Sequence, residues 1–261
     1  MGIYHFLILG SEGRQNYLRE FLEMSGQEVV QAENYQPGYY DAVLLPVPQT
    51  AKYLEENLDS FQRGQIVYGC NFPRELKIQG EKRGVHFVDY MKVDGVAEKN
   101  AVATAEGAIA EALKAGCRCI EKSRIFVVGY GRCGRVLTEK LLALRAYVTV
   151  IDRKEEKREQ AEKRGVSSMD FSQMTENAGE VDFVFNTVPA PVIRESFLGL
   201  VKKDVVIIDI ASKPGGVDFD FCRKKGLNAN LCLGLPGKYA PKSAAEILCK
   251  VIEVDFPFTL R

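Results

Sequence analysis

The sequence predicts an α/β protein of two parts, each a parallel sheet covered by helices. Three observations predict it. Short apolar, β-branched runs alternate with helical patterns along the 261 residues, and an alanine-rich stretch interrupts that alternation near residue 120. One run, residues 125–128, also feeds the turn Gly129-Tyr130-Gly131-Arg132-Cys133-Gly134, where a helical pattern begins. Alternating strand and helix signals favour parallel strands, because consecutive parallel strands need a crossover between them.

In the first half, residues 3–9 read as a strand that enters Gly10-Ser11-Glu12-Gly13, and an amphipathic helix follows through Met24. Residues 41–45 form a second strand ending in Pro46-Val47-Pro48, and residues 65–68 and 85–88 form two more. Residues 93–119 predict a long helix joining the halves. The second half repeats the alternation, with strands at 125–128, 147–151, 181–185, 205–209 and near 227–231, and a last amphipathic helix at 242–254. The expected division is a small α/β domain over 1–103, a linking helix over 104–121, a doubly wound domain over 122–241 and a terminal helix over 242–261. The Gly10–Arg14 turn lacks the triple-glycine spacing and a following acid, so it reads as an ordinary strand-to-helix turn. The alternative is a loop that contacts substrate.

The turn at 129–134 carries the chemistry of a dinucleotide site of the Rossmann type. Gly129 permits the tight turn, Gly131 lets the backbone approach a pyrophosphate, and Gly134 lets the new helix pack against its strand. The helix start offers N–H groups and the positive end of its dipole to phosphates. The strand at 147–151 ends in Asp152, 18 residues past Gly134 and near the spacing of about 20 expected for a ribose-binding acid. Asp152 suits the ribose hydroxyls of NAD, whereas Arg153 suits the 2′-phosphate of NADP. Arg132 and Cys133 complete the turn. Arg153 also opens a charge run through Glu159 that reads as the solvated start of a helix. NAD and NADP both remain open. In two-domain dehydrogenases of this build, the terminal helix often crosses back to the first domain, and the same is expected here.

Composition sets limits. Lys+Arg and Asp+Glu both total 35, so no net field draws nucleic acid or an anionic membrane. The apolar run at 3–9 is too short to span a bilayer and lacks the basic start of a secretory signal. Seven cysteines without a regular framework indicate a reducing compartment, and Cys117 and Cys119 stand too close for a metal knuckle. A cytoplasmic protein without a metal site is expected.

Open α/β sheets bind ligands at the carboxyl ends of their strands. Three loops fall there: Asn186-Thr187-Val188-Pro189-Ala190-Pro191, then Asp209 through Gly216, then Gly234 through Lys242. The first is expected to help hold the cofactor. The only histidines are His5 and His86, in the first half. An ordinary 2-hydroxyacid dehydrogenase needs a late histidine to take the hydroxyl proton, and is therefore disfavoured.

Five segments together resemble the family of A-type subunits of dipicolinate synthase: Lys99 through Gly107, the Gly129–Gly134 turn, Asn186-Thr187-Val188-Pro189, Asp209 through Gly216, and Gly234 through Lys242. They occur in the family's order over nearly the whole chain. The resemblance implies oxidation of dihydrodipicolinate to dipicolinate during spore formation, in the mother-cell cytoplasm, with NADP and a flavoprotein-like B-type subunit of the same synthase. Lys213 stands where an arginine is expected in many relatives, and Asp152 is unexpected for a strict NADP enzyme.

Aromatising a dihydropyridine removes one hydride and one proton, with no alcohol to deprotonate. Two carboxylates need cations and N–H groups. The expected cradle is Thr104, Ser212, Lys213, Gly215, Gly216, Pro236 and Gly237, with Lys213 and Glu106 as the catalytic candidates. Glu106 suits a proton acceptor, and equally a first-turn glutamate placed by the helix dipole. Two other readings stand beside this one: a dehydrogenase for another cyclic imine or keto acid, and a non-catalytic NAD(P)-binding regulatory or scaffold subunit. Homo-oligomerisation is left open.

Overall fold

In the computed structural model, which describes residues 2–258, the chain divides into two compact units. The first joins residues 1–100 to 236–261, and the second is residues 101–235. Two boundaries differ from expectation. Residues 104–121 are not a separate linker, and residues 236–241 belong with the first unit.

The first unit contains β1 (His5–Leu9), α1 (Gly13–Met24), β2 (Glu28–Ala32), β3 (Ala42–Leu44), α2 (Thr50–Asn57), β4 (Ile66–Gly69), α3 (Arg74–Lys82) and β5 (His86–Asp89). Its five strands are all parallel, in the order β2-β1-β3-β4-β5. Phe6 through Leu9 and Ala42 through Leu44 are fully buried, as strands covered on both faces must be. The helix α4 (Val96–Ala115) starts in this unit, and its later residues Ala105, Ala108, Ile109 and Ala112 join the core of the second.

The second unit continues with β6 (Arg124–Val128), α5 (Arg132–Ala143), β7 (Tyr147–Ile151), α6 (Glu155–Glu162), β8 (Ser167–Met169), α7 (Phe171–Glu176), β9 (Phe183–Asn186), α8 (Glu195–Leu198), β10 (Val206–Asp209), α9 (Phe219–Lys225) and β11 (Asn228–Leu231). Its six parallel strands run β11-β10-β9-β6-β7-β8, the doubly wound order in which the sheet reverses direction beside its first strand. Asp170 and Gln173 form a capping box that starts α7 immediately after the edge strand β8.

The short helix α10 (Leu235–Tyr239) leads to α11 (Pro241–Asp255), which packs along α1. Leu18 and Leu22 of α1 share one core with Ala245, Leu248, Cys249 and Ile252 of α11. Phe256 stands edge-on to Tyr4 and Phe6, at 5.0 and 5.3 Å between ring centres. Such pairs contribute about 0.5–1.5 kcal/mol each beyond their burial. The hydroxyl of Tyr68 donates to Asp255 at 2.5 Å, which fixes the end of α11 to β4.

Two strands, β2 and β8, have no counterpart in the sequence reading. Both are edge strands whose side chains are half-buried or exposed, so neither shows an apolar run.

Candidate functional site

The glycine turn after β6 is held by close contacts on two sides and open on the third. Gly129 has φ +93°, and a Cβ there would lie 2.4 Å from Thr187 Oγ1 and 2.8 Å from Val188 Cγ2. The Thr187 hydroxyl donates to the carbonyls of Val128 at 3.0 Å and Gly129 at 3.3 Å, so the loop after β9 clamps the turn. A Cβ on Gly134 would lie 2.0 Å from the Gly129 carbonyl oxygen, so α5 can begin there only with glycine. A Cβ on Gly131 would meet nothing within 4 Å. Gly131 is the N-cap of α5, and no side chain caps the helix. A helix start without a side-chain cap is the kind of terminus that receives a pyrophosphate.

Gly131 borders a cavity of about 400 Å³ that is also lined by Asp152, Arg153, Lys154, Lys157, Val188 and Pro189. β6 lies between β9 and β7, so this cavity flanks the point where strand order reverses. Both oxygens of Asp152 are engaged: Oδ2 accepts the Tyr130 N–H and Oδ1 the Lys154 N–H, each at 2.9 Å. Asp152 thus braces the turn as well as facing the cavity. Arg153, Lys154 and Lys157 surround it with positive charge. The residues fit a dinucleotide, with apolar Val188 and Pro189 on one wall and cations on the other. Arg132 is exposed at the helix start, and burial pushes the half-buried Cys133 thiol up.

The loops after β9 and β10 are joined by buried polar groups. Asn186 Nδ2 donates to Asp209 Oδ1 at 2.9 Å and to the Val188 carbonyl at 3.0 Å, and its Oδ1 accepts the Val188 N–H. Asp209 is fully buried and also accepts the N–H groups of Ala211 and Gly216, at 3.0 and 2.7 Å. This corrects the expected cradle. The Gly216 N–H goes to Asp209 and the Gly215 N–H to the Ser212 carbonyl at 2.9 Å, so neither faces outward to receive a carboxylate. Ser212 and Lys213 are exposed on the same loop.

Glu106 is not brought to the turn. Its carboxylate accepts from Lys140 Nζ at 2.8 Å beside Ala143 and Leu144, toward the far end of α5. Thr104 is half-buried on α4. Pro236 is buried in the first unit, where a Cβ on Gly237 would lie 3.2 Å from Arg14 Nη2. Sequence reading overlooked Lys154 and Lys157, hidden in a charge run taken for a solvated helix face. Among the described residues no group of His, Cys, Asp and Glu could hold a metal, and no helix is long and apolar enough to cross a membrane.

Residues 97–214 match the NAD-binding domain of D-isomer specific 2-hydroxyacid dehydrogenases. The A-type subunit of dipicolinate synthase from Bacillus subtilis (strain 168) is 33% identical over 159 residues, 61% of this chain and 54% of that protein. The matched stretch therefore spans about half of that relative's length. The crystal structure of the same type of subunit from Bacillus halodurans superposes with a TM-score of 0.86 at 27% identity, covering 98% of this chain and 99% of that one. D-lactate dehydrogenase from Escherichia coli shares the fold, with a TM-score of 0.65 at 13% identity over 98% of both chains. The chain is thus similar to the A-type subunits of dipicolinate synthase and shares the fold of the NAD(P)-dependent dehydrogenases.

Proposed function

We propose that the chain oxidises dihydrodipicolinate to dipicolinate with NAD(P)⁺. The observation that carries this reading is the open glycine at position 131. It stands at the reversal point of a sheet, in a chain that resembles part of a dipicolinate synthase along 98% of its length. The bound dinucleotide would supply the hydride acceptor, and the ring would lose one further proton to become aromatic. The second unit contains no histidine, which suits a reaction with no hydroxyl to deprotonate.

Ser212 and Lys213 are the groups proposed to receive a substrate carboxylate, with Thr104 as a further contact. Glu106 has no part in the proposal, because Lys140 already pairs with it away from the turn. NADP is the favoured cofactor. Asp152 is engaged by backbone N–H groups, while Arg153, Lys154 and Lys157 line the same cavity and suit a 2′-phosphate. Arg153→Ala is expected to weaken NADPH about tenfold and leave NADH nearly unchanged. Equal losses measured by cofactor fluorescence would assign Arg153 to the pyrophosphate instead.

A second reading has one specific support: with the Gly215 and Gly216 N–H groups used internally, few groups remain in these loops for chemistry. The chain would then hold the cofactor and depend on a flavoprotein-like B-type subunit for turnover, in the mother-cell cytoplasm of a sporulating bacterium. One assay separates the two. The purified chain is mixed with freshly generated dihydrodipicolinate and each nicotinamide, and pyridine absorbance and reduced cofactor are followed. Turnover by the chain alone supports the self-sufficient enzyme. Turnover only with the B-type subunit supports the second reading, and turnover with neither removes both.

A further inference from the structure

The carboxyl edge of the first sheet holds a cation with nothing to bind. Arg14 lies in the first turn of α1, directly after β1, and is only 3% exposed. Its Nε and Nη1 are buried without a hydrogen-bond partner, and no ion pair reaches the guanidinium among the described residues. Tyr90, just after β5, is fully buried, and its hydroxyl is likewise unpartnered. The two groups are close enough for each to act on the other's ionisation. Burial is the larger influence and pulls the Arg14 pKa down.

The acids in the neighbourhood are committed elsewhere. Glu12, whose charge acts on Arg14, accepts the Gln49 amide at 3.0 Å. Asp89 accepts the N–H groups of Asn71 and Met91 at 3.1 and 3.0 Å. What Arg14 and Tyr90 lack is an acceptor, and the formal charge of the guanidinium requires an anionic one. An unpaired buried cation otherwise destabilises the fold.

The position is where a doubly wound sheet places ligands. In the order β2-β1-β3-β4-β5 the strand sequence reverses between β1 and β3, and the crevice lies outside the carboxyl ends of those strands. Gln15 Nε2 donates to the carbonyls of Leu9 at 3.0 Å and Leu44 at 3.2 Å, tying the start of α1 to that edge. A Cβ on Gly237 would lie 3.2 Å from Nη2, so the glycine allows the backbone of the last segment to approach the guanidinium closely.

We infer that Arg14 and Tyr90 form a carboxylate-binding site within the first unit. A carboxylate presents two coplanar acceptors to a guanidinium and neutralises its single charge. A phosphate dianion would concentrate two charges on the one buried group, whereas a dicarboxylate carries its second charge on a separate carboxylate. The site goes beyond the oxidation proposed above and does not depend on it.

The test is calorimetric titration of the full chain with pyridine-2,6-dicarboxylate, malonate and inorganic phosphate, with NADPH affinity followed in parallel. Both carboxylates are expected to bind. Arg14→Met should lose about 30-fold or more of that affinity, and Tyr90→Phe about fivefold. Arg14→Met should also melt no lower than the parent without ligand, because it removes an unpaired charge. The site is overturned if neither carboxylate binds the parent, if Arg14→Met binds them equally, or if phosphate binds more tightly than both. Should Arg14→Met fail to fold, Tyr90→Phe decides, since it removes a hydroxyl that has no partner, and unchanged affinity would overturn the site. Failure of NADPH binding in the parent would count against the oxidation reading alone.

Discussion

The two sheets reverse strand order in the same way and furnish the crevice in opposite ways. In the second unit the reversal beside β6 is lined by glycine, and what faces outward is bare backbone at the start of α5. In the first unit the reversal beside β1 is lined by Arg14, a buried side-chain charge. Backbone N–H groups are fixed and spread along a helix start, which suits a pyrophosphate. A guanidinium concentrates charge on one plane, which suits a single carboxylate. One topology thus yields two receptor chemistries, one from an open glycine at the helix start and one from a buried arginine in the first helical turn.

The contrast can be broken most severely at Gly134. Gly134→Ala drives a methyl group into the Gly129 carbonyl, and we expect a loss of about 3 kcal/mol in urea unfolding. A loss below about 0.5 kcal/mol would mean that α5 can shift and the turn is not tightly fixed. Next is Gly131→Val, where the added side chain meets only open space. Its melting temperature should stay close to the parent's while the Kd for NADPH rises about 100-fold, or about 2.7 kcal/mol. Retained affinity would move the dinucleotide away from this turn.

Alkaline pH should weaken the first unit. Burial, then hydrogen bonding to Asp255, raises the pKa of Tyr68, and burial raises that of Tyr90. A tyrosine raised on folding contributes its full stabilisation below its unfolded pKa of about 10 and loses it as pH rises beyond. At pH 11 the expected loss is about 1.4 kcal/mol per tyrosine. Urea unfolding between pH 8 and pH 11 checks this, and Tyr68→Phe should flatten the dependence. The smallest effect is expected at Thr187→Val, which removes the clamp on the Val128 and Gly129 carbonyls for about 1 kcal/mol and a modest rise in NADPH Kd. A change in stability with none in Kd would show that the clamp supports the fold without shaping the site.

The glycine turn was legible because its requirements are local: each glycine answers to atoms within a few residues or in the next strand. Strands with buried apolar runs were legible for the same reason, and so was β11, an edge strand whose Asn-Ala-Asn-Leu alternation survives exposure. The edge strands β2 and β8 lack such a signal. Arg14 and Asp209 were not legible, because their surroundings are assembled by strand order. Asp209 meets Asn186 from the neighbouring strand, and Arg14 meets Gly237 from the far end of the chain. Glu106 failed as a site residue for a similar reason: its partner, Lys140, comes from another helix.

The core shared by α1 and α11 also orders events in time. During synthesis the strands of the first sheet emerge early, yet Phe6, Leu18, Leu22 and Tyr68 gain part of their cover only when residues 241–256 have been made. The second unit is continuous in sequence and can close while the first still waits. The usual order, in which the N-terminal domain folds first, is therefore expected to be reversed here, which limited proteolysis of stalled nascent chains would check. In that interval the nascent chain exposes an apolar sheet face, the stage at which chaperones would matter most.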